Sequence, residues 1–431
     1  MGTLTTMFVD LNSYFASVEQ QLHPELRGRP VAVIPVLTDS TSCIAASYEA
    51  KAFGVRTGTR VGDAKRLCPG ITFVMSRTGE YVRMHHRVLE AAETVLPVHA
   101  VHSIDEFSCR LLGKQRERGE AERLALAVKR AIAERVGVCM RCSIGVAPNR
   151  ILAKLASDMM KPDGLVIIEK HELPERLLGL DVRELSGVGP RMAQRLARHG
   201  VSTMADLYAR SAVEMERMWE SVLGRWWYEA LRGEDMHERA TIRRTIGHQH
   251  VLAPELRSGE GSRAVAIRLL MKAATRARSL GYVPRRLSVS VRHVGDRGPD
   301  GGRTSRTWGD GVSFPDCDDT ITLVELLTGM WAGYEGWVRE GAAVGVTPLR
   351  VSVTLEDLVP RSSSTLNLFA EARERAELSK AMDTVNAKYG KNAVYLGSMH
   401  QARSSAPSRI AFSSIPDATW EEVGEGEDGL V

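Results

Sequence analysis

What is missing from this chain narrows its class first. No apolar run is long enough to cross a bilayer. The opening MGTLTTMFVD has neither a basic leader nor a long apolar stretch behind it. The expectation is a soluble, cytoplasmic protein with no membrane partner. Cysteine is too scattered for a disulfide framework; Cys43, Cys68, Cys109, Cys139, Cys142 and Cys317 are the whole set. Cys139 and Cys142 form a C-x-x-C, but no second pair of ligands follows at zinc spacing, so they read as reduced thiols in a buried strand. No internal repeat is visible, which excludes repeat architectures.

A large charge surplus is also missing, since the net charge is only +4, yet the distribution is uneven. Residues 241–310 carry 14 Lys or Arg against 5 Asp or Glu. Residues 417–431 carry six carboxylates and no basic residue. A basic block of that size suits a polyanion, because each neutralised phosphate releases counterions; a solvated surface is the alternative. A chain of 431 residues with 43% hydrophobic content has material for roughly two to four domains with cores.

TMFVDL reads as a short buried strand, and NSYFASVEQQL as the helix behind it, with Asn12 or Ser13 as its N-cap. Strand–helix alternation continues through RPVAVIPV, GEYVRMHHRVLEAAETVL, AVHSIDEFSCRL, EAERLALAVKRAIAERVG, VCMRCSIGVAP, NRILAKLASDMM and GLVIIEK. This predicts an α/β or α+β domain over roughly the first 170 residues. Residues 175–235 read as short helices around a GVG. Beyond the basic linker TIRRTIGHQHVL, the stretch RRLSVSVRHV sets Leu287, Val289 and Val291 on one face and Ser288, Ser290 and Arg292 on the other. A small sheet backed by two helices, its open face turned to a charged partner, fits that pattern. The Ser-rich RSSSTLNLF and the acidic end read as a flexible tail.

HSIDEF sets Asp105 beside Glu106 within an apolar run, and Asp10 closes the first strand. Neighbouring side chains of a strand point to opposite faces. The pair is therefore either a solvated turn or two metal ligands presented by a bent or bulged backbone. Three carboxylates brought together repel one another unless cations lie between them. Mg²⁺ prefers such oxygen donors, and two ions about 3.5–4 Å apart clamp an in-line phosphoryl displacement.

FVDLNSYFASVE and SIDEF resemble the two metal-binding motifs of the Y-family, or translesion, DNA polymerases. SIGVAPNRILAKLASDMMKPDG is similar to that family's third palm motif, ASYEAKAFGVRTG to its finger motif, and LSGVGPRMAQRLARHGVSTMADL to its thumb. The motifs run in order from residue 7 to about 210, and more weakly to about 360. The resemblance implies an α+β right-hand polymerase. A ferredoxin-like palm would occupy residues 1–24 and 79–174, and small fingers 25–78. A helical thumb with a helix–hairpin–helix would occupy 175–240, a little finger 241–360, and a flexible tail 361–431. It implies template-directed, error-prone translesion synthesis without proofreading, in which the primer 3′-OH attacks the α-phosphate of a dNTP.

The resemblance also assigns residues. Asp10, Asp105 and Glu106 would be catalytic and hold two Mg²⁺, or Mn²⁺ in their place, with the Leu11 carbonyl as a further ligand. Phe15 falls at the steric gate that rejects a ribose 2′-OH; its spacing alone would suggest a core residue of an amphipathic helix. Tyr48, Lys51 and Lys161 would contact the triphosphate. Lys51 stands where the family often has Arg, and Ala45 where many relatives carry a hydroxyl. Gly187 and Gly189 would let a hairpin backbone approach a DNA phosphate. Arg243, Arg244, Arg285, Arg286 and Arg292 are the candidate phosphate contacts of the little finger. TLNLF, residues 365–369, is close to the pentapeptide that binds the bacterial sliding clamp, with Leu366, Leu368 and Phe369 for its apolar pocket and Thr365 in place of the usual Gln. AMDTVNAKYGKNAVYLG is similar to the end of the catalytic subunit of bacterial polymerase V, which adds accessory mutagenesis subunits as candidate partners of an expected monomer. Two other functions stand beside this one. An inactive clamp-bound scaffold is opposed by the retained carboxylates, and a nucleotidyl cyclase on a palm-like fold by the DNA-gripping parts.

Overall fold

The computed structural model describes residues 3–39, 41–235, 243–297, 303–364 and 370–406. The chain divides into a first unit ending at Glu238 and a second from Arg239 to Ser408. In chain order the first unit forms β1 (Thr6–Leu11), α1 (Tyr14–Leu22), β2 (Val31–Ile34), β3 (Ala45–Ala46), α2 (Tyr48–Ala52), α3 (Val61–Leu67) and β4 (Thr72–Met75). It continues with α4 (Thr78–Glu93), β5 (Val98–Ser103), β6 (Glu106–Arg110), α5 (Arg118–Arg135), β7 (Cys142–Ala147), α6 (Arg150–Met159) and β8 (Leu165–Ile167). These strands make a five-stranded sheet, β5-β6-β1-β7-β8, and a three-stranded sheet, β3-β2-β4. β1 lies in the middle of the larger sheet, antiparallel to both neighbours and buried along its whole length. Its alternation divides two cores. Met7, Val9 and Leu11 join the core that holds Val82 and Val88 of α4 and Leu124, Val128 and Ile132 of α5. Phe8 joins the core of Ile151, Leu152 and Leu155 of α6. Asp10 follows Phe8 by two and so faces α6.

Two local expectations need correction. AVHSIDEFSCRL is not one strand: β5 and β6 are a hairpin with Ile104 and Asp105 in its turn. Apolar residues continue through the turn at Val101, Ile104 and Phe107, with no Gly, Pro or Asn to mark a break. Cys139 is not in a strand either. It lies in the turn before β7, where Gly137 has φ +149°, and its Sγ donates to the Gln20 carbonyl at 3.6 Å. Both cysteines are free.

The first unit closes with α7 (Pro190–Arg198), α8 (Met204–Tyr208), α9 (Ala212–Trp219) and α10 (Leu223–Leu231). Their apolar residues share a core with α6. Asn149 joins the two parts. Its Oδ1 caps α6 by accepting from Leu152 N–H at 3.0 Å, while its Nδ2 donates to the Ala230 carbonyl at 2.7 Å and the Glu234 carbonyl at 2.9 Å.

The second unit holds β9 (Thr245–Val251), α11 (Gly259–Ser279), β10 (Tyr282–Val283), β11 (Arg286–Arg297), β12 (Arg303–Ser313), α12 (Thr320–Trp337), β13 (Val346–Glu356), β14 (Val359–Pro360) and α13 (Ala370–Tyr389). An antiparallel sheet, β12-β11-β13-β9, packs Leu287, Val289, Val291, Val351, Val353 and Leu355 against α11 and α12. Its other face is built from cross-strand rows such as Gly247–Thr354–Ser288–Gly311 and Gln249–Ser352–Ser290–Gly309. Small polar residues and glycines leave that face flat.

Residues 370–406 are not the flexible tail expected from composition. α13 is charged enough to read as solvated, but polar anchors dock it. Arg278 Nε donates to Asp383 Oδ2 at 2.6 Å, and the Ser379 hydroxyl accepts from Thr320 N–H at 2.9 Å. After α13, Met399, Ala402 and Ala406 return to the core of the unit. The pentapeptide at 365–369 and the acidic end lie outside the described residues. The Arg278 side chain is only 7% exposed. Asp383→Ala leaves that guanidinium with less compensation and is expected to cost about 3 kcal/mol in urea denaturation. An unchanged midpoint would mean that α13 does not dock.

Candidate active site

Strand register sets the first contacts. Asp10 lies directly opposite Glu106 on β6, so the two carboxylates share a face. The β5–β6 turn then brings in Asp105. Leu11 N–H donates to the Asp105 carbonyl at 2.8 Å. Asp105 N–H meets the Ser103 hydroxyl at 3.4 Å, and that hydroxyl donates to Asp105 Oδ1 at 2.5 Å. The bend that two adjacent ligands require is therefore a hairpin turn. His85 of α4 supports it from the core, with a ring nitrogen 2.8 Å from the Ile104 carbonyl.

The third wall is α6. Gly145 of β7 lets it approach closely, since a Cβ there would stand 1.9 Å from the Ala153 carbonyl oxygen. Helical spacing then puts Lys154 and Asp158 on the side facing Asp10. Lys154 Nζ lies 2.5 Å from Asp10 Oδ2, 2.8 Å from Glu106 Oε1 and 3.2 Å from Asp158 Oδ1. Lys161 Nζ lies 2.6 Å from Asp10 Oδ1 and 2.8 Å from Asp158 Oδ1. Burial pushes the Asp105 carboxyl up; the Ser103 hydrogen bond opposes this and the Asp10 charge adds to it. Burial likewise raises Glu106, while Lys154 pulls it down and Asp10 and Asp105 push it up. Burial works against the Lys154 ammonium, but Asp10, Asp158 and Glu106 outweigh it and hold its pKa well above the usual lysine value.

Four carboxylates thus face two ammonium groups, and acid remains in excess. Among the described residues no three His, Cys, Asp or Glu side chains are gathered as a ready metal cage. Lys154 stands in the gap between Asp10 and Glu106. The donors are nevertheless all hard oxygens in acid excess, and that chemistry fits Mg²⁺ or Mn²⁺.

The nucleotide-side candidates arrive from α1 and α2. Ser13 is the α1 N-cap, but its hydroxyl does not cap the helix; it accepts from Lys51 Nζ at 2.7 Å. Lys51 also sits 4.2 Å from the Tyr48 ring centroid. Burial lowers the Lys51 pKa, Lys161 lowers it further, and Asp10 opposes both. Tyr48, Lys51 and Lys161 therefore lie within electrostatic reach of one another and of Asp10. The half-buried Phe15 ring stacks on Tyr81 with centroids 4.3 Å apart. Tyr81 is held in turn by its hydroxyl, which donates to the buried Glu19 at 2.7 Å, and Glu19 is paired with Arg77.

Other candidates are placed apart from this cluster. Gly187 has φ +105°, a conformation that favours glycine; Gly189 is extended, stands at the N-cap of α7 and has open space beside it. Arg286 and Arg292 belong to the open sheet face. Arg286 lies 3.3 Å from Glu356, and Arg292 Nε donates to the Ser305 hydroxyl at 3.1 Å. Arg285 sits at the sheet end and is tied to Asp316 at 2.6 Å. Arg243 and Arg244 precede β9. Sequence reading missed Lys154, Asp158, Ser103 and His85. The spacing of Lys154 and Asp158 was a usable signal, because charges at i and i+4 share one helix face, with Lys161 following in the turn after α6.

Residues 9–158 match the impB/mucB/samB family, and residues 243–368 match that family's C-terminal domain. The chain is 33% identical over 396 residues to DNA polymerase IV of Moorella thermoacetica, spanning 90% of this chain and 94% of that one. It is 32% identical to DNA polymerase IV 2 of Mesorhizobium japonicum over 99% of each. Among solved structures it resembles a Y-family DNA polymerase chimera, with a TM-score of 0.66 and 23% identity over 83% of this chain and 99% of that one. The insertion ternary complex of Dbh DNA polymerase gives a TM-score of 0.52 at the same identity and coverage. The chain belongs to the impB/mucB/samB family, the Y-family of translesion DNA polymerases.

Burial holds the His85 pKa down at about 4, so the folded protein keeps the ring neutral at neutral pH. The unfolded chain takes up that proton near pH 6.5, about the ordinary histidine value. The contribution of His85 to stability is thus complete above that pH and drains away as pH falls towards 4. His85→Gln can still donate to Ile104 and no longer titrates. Urea midpoints measured from pH 7 to pH 4.5 are expected to fall less steeply in this variant. His248 of the second unit is also held at about 4, so only part of the slope disappears.

Proposed function

We propose that this protein is a template-directed, error-prone DNA polymerase that performs translesion synthesis. The observation that carries the reading is the convergence of Asp10, Asp105 and Glu106 at one end of the central sheet, with Tyr48, Lys51 and Lys161 reaching the same place. The palm comprises residues 1–24 and 79–174, the fingers 25–78, the thumb 175–240 and the little finger 241–360. Asp10, Asp105 and Glu106, with the Leu11 carbonyl, would hold two Mg²⁺ ions, or Mn²⁺ in their place. When bound, these ions lower the pKa of the primer 3′-OH and offset charge on the triphosphate.

The protein's own groups do the rest. Lys51 and Lys161 bind phosphate oxygens as point charges, and the Tyr48 hydroxyl adds a hydrogen bond. Phe15, backed by Tyr81, occupies the space that a ribose 2′-OH would need. The Gly187–Gly189 hairpin and the N-terminus of α7 hold a DNA phosphate through backbone N–H groups. Arg243, Arg244, Arg286 and Arg292 meet further phosphates of primer–template DNA. Arg285 contributes less, because Asp316 already neutralises it. The partners are primer–template DNA, dNTPs, the bacterial sliding clamp through residues 365–369 and accessory mutagenesis subunits, around a cytoplasmic monomer that joins the nucleoid on DNA.

Primer extension with Mg²⁺ and dNTPs, on intact and abasic templates, tests the reading. Asp105→Ala/Glu106→Ala is expected to lower the rate by at least about 10³-fold. Extension that survives this double substitution overturns the assignment. The sheet face has its own test in the salt dependence of DNA binding. Arg286→Ala/Arg292→Ala is expected to reduce the slope of log affinity against log salt by about 1 to 2, the lower end because Arg286 already pairs with Glu356, and an unchanged slope removes both residues from the interface.

A further inference from the structure

Lys154 occupies the gap that a cation between Asp10 and Glu106 would have to enter. Its ammonium is 2.5 Å from one carboxylate and 2.8 Å from the other. Lys161 closes on the remaining oxygen of Asp10 at 2.6 Å. Metal loading is therefore an exchange in which two ammonium groups must leave Asp10. They cannot simply be left unpaired. The Lys154 side chain is only 11% exposed, and an uncompensated ammonium beside a divalent cation is costly.

One carboxylate besides Asp10 already touches both lysines. Asp158 Oδ1 is 3.2 Å from Lys154 Nζ and 2.8 Å from Lys161 Nζ. It belongs to α6 and not to the sheet that carries Asp10 and Glu106. Its position four residues after Lys154 on α6 keeps it beside that lysine whatever happens at the strands, and Lys161 meets it from the turn after the helix. We propose that Asp158 is a positioning residue that receives the Lys154 and Lys161 ammonium groups when a divalent cation takes Asp10 and Glu106, and that this exchange sets the metal affinity of the site. The inference rests on the proposed metal ligands. Asp158 delivers Lys161 towards the triphosphate once Asp10 has released it.

The test is Mn²⁺ binding by the full-length protein without DNA or nucleotide, read by electron paramagnetic resonance of the free ion. Melting in EDTA serves as the folding control. Asp158→Asn is expected to weaken Mn²⁺ binding on the order of tenfold, and Asp158→Glu to stay close to wild type. Lys154→Met removes the competing ammonium and is expected to tighten binding. The deciding measurement is the double variant. If Asp158 acts through Lys154, most of the Asp158→Asn effect disappears in the Lys154→Met background. Full additivity of the two effects overturns the proposal, as does unchanged binding in Asp158→Asn. Wild-type protein that binds no Mn²⁺, or that binds it equally after Asp10→Asn, fails at the earlier step and removes the metal site itself.

Discussion

A carboxylate placed as Asp10 is, 7% exposed beneath a helix, needs cations beside it, and this structure supplies two from one short segment of chain. Lys154 and Lys161 come from α6 and the turn after it, and α6 reaches them only because Gly145 removes a side chain from the contact. The electrostatics around Asp10 therefore depend on a packing detail one strand away, on the same α6-facing side of the sheet. Any residue larger than glycine at that position would push α6 outwards and draw both ammonium groups away from Asp10.

The same helix couples the site to the helices of residues 190–231, which the proposed function assigns to DNA. α6 shares one apolar core with the helices of residues 190–231, and its cap residue Asn149 also binds the carbonyls that end them. Arg110 pairs with Asp235 and Lys170 with Glu234, so the end of the helical segment is anchored to the sheet domain by side chains as well. A nucleotidyl transfer needs its reacting groups held to within fractions of an ångström. A helix that belongs to both cores gives that rigidity without a separate element.

On the proposed function, which gives its open sheet face to DNA, the second unit meets the opposite demand. A surface that follows DNA without reading sequence should offer few protruding side chains and a positive rim. The rows of glycine, serine and threonine across β9, β13, β11 and β12 provide the flat part, and Arg286 and Arg292 provide charge. α13 and the turn after it complete the packing of this unit, held by Arg278–Asp383 and by Met399, Ala402 and Ala406. Its stability thus extends well past the last long strand.

Much of this was legible in the amino-acid order. TMFVDL read as a buried strand and period-two alternation in RRLSVSVRHV sorted residues onto faces, while Asp10, Asp105 and Glu106 left a solvated turn or a metal site open until the family resemblance chose between them. The alternation of strands and helices narrowed the class to α/β or α+β, and the family resemblance implied α+β. Three features were not legible. The turn within HSIDEF is hidden because apolar residues continue through it. The docking of α13 depends on Arg278 and Thr320, more than fifty residues away from their partners. The cation between Asp10 and Glu106 is a lysine 144 residues beyond Asp10. Local order determines which face a residue takes, because φ and ψ set its direction. Which charge meets which is decided only when strands pair and helices pack, because that energy depends on distances the linear chain does not contain.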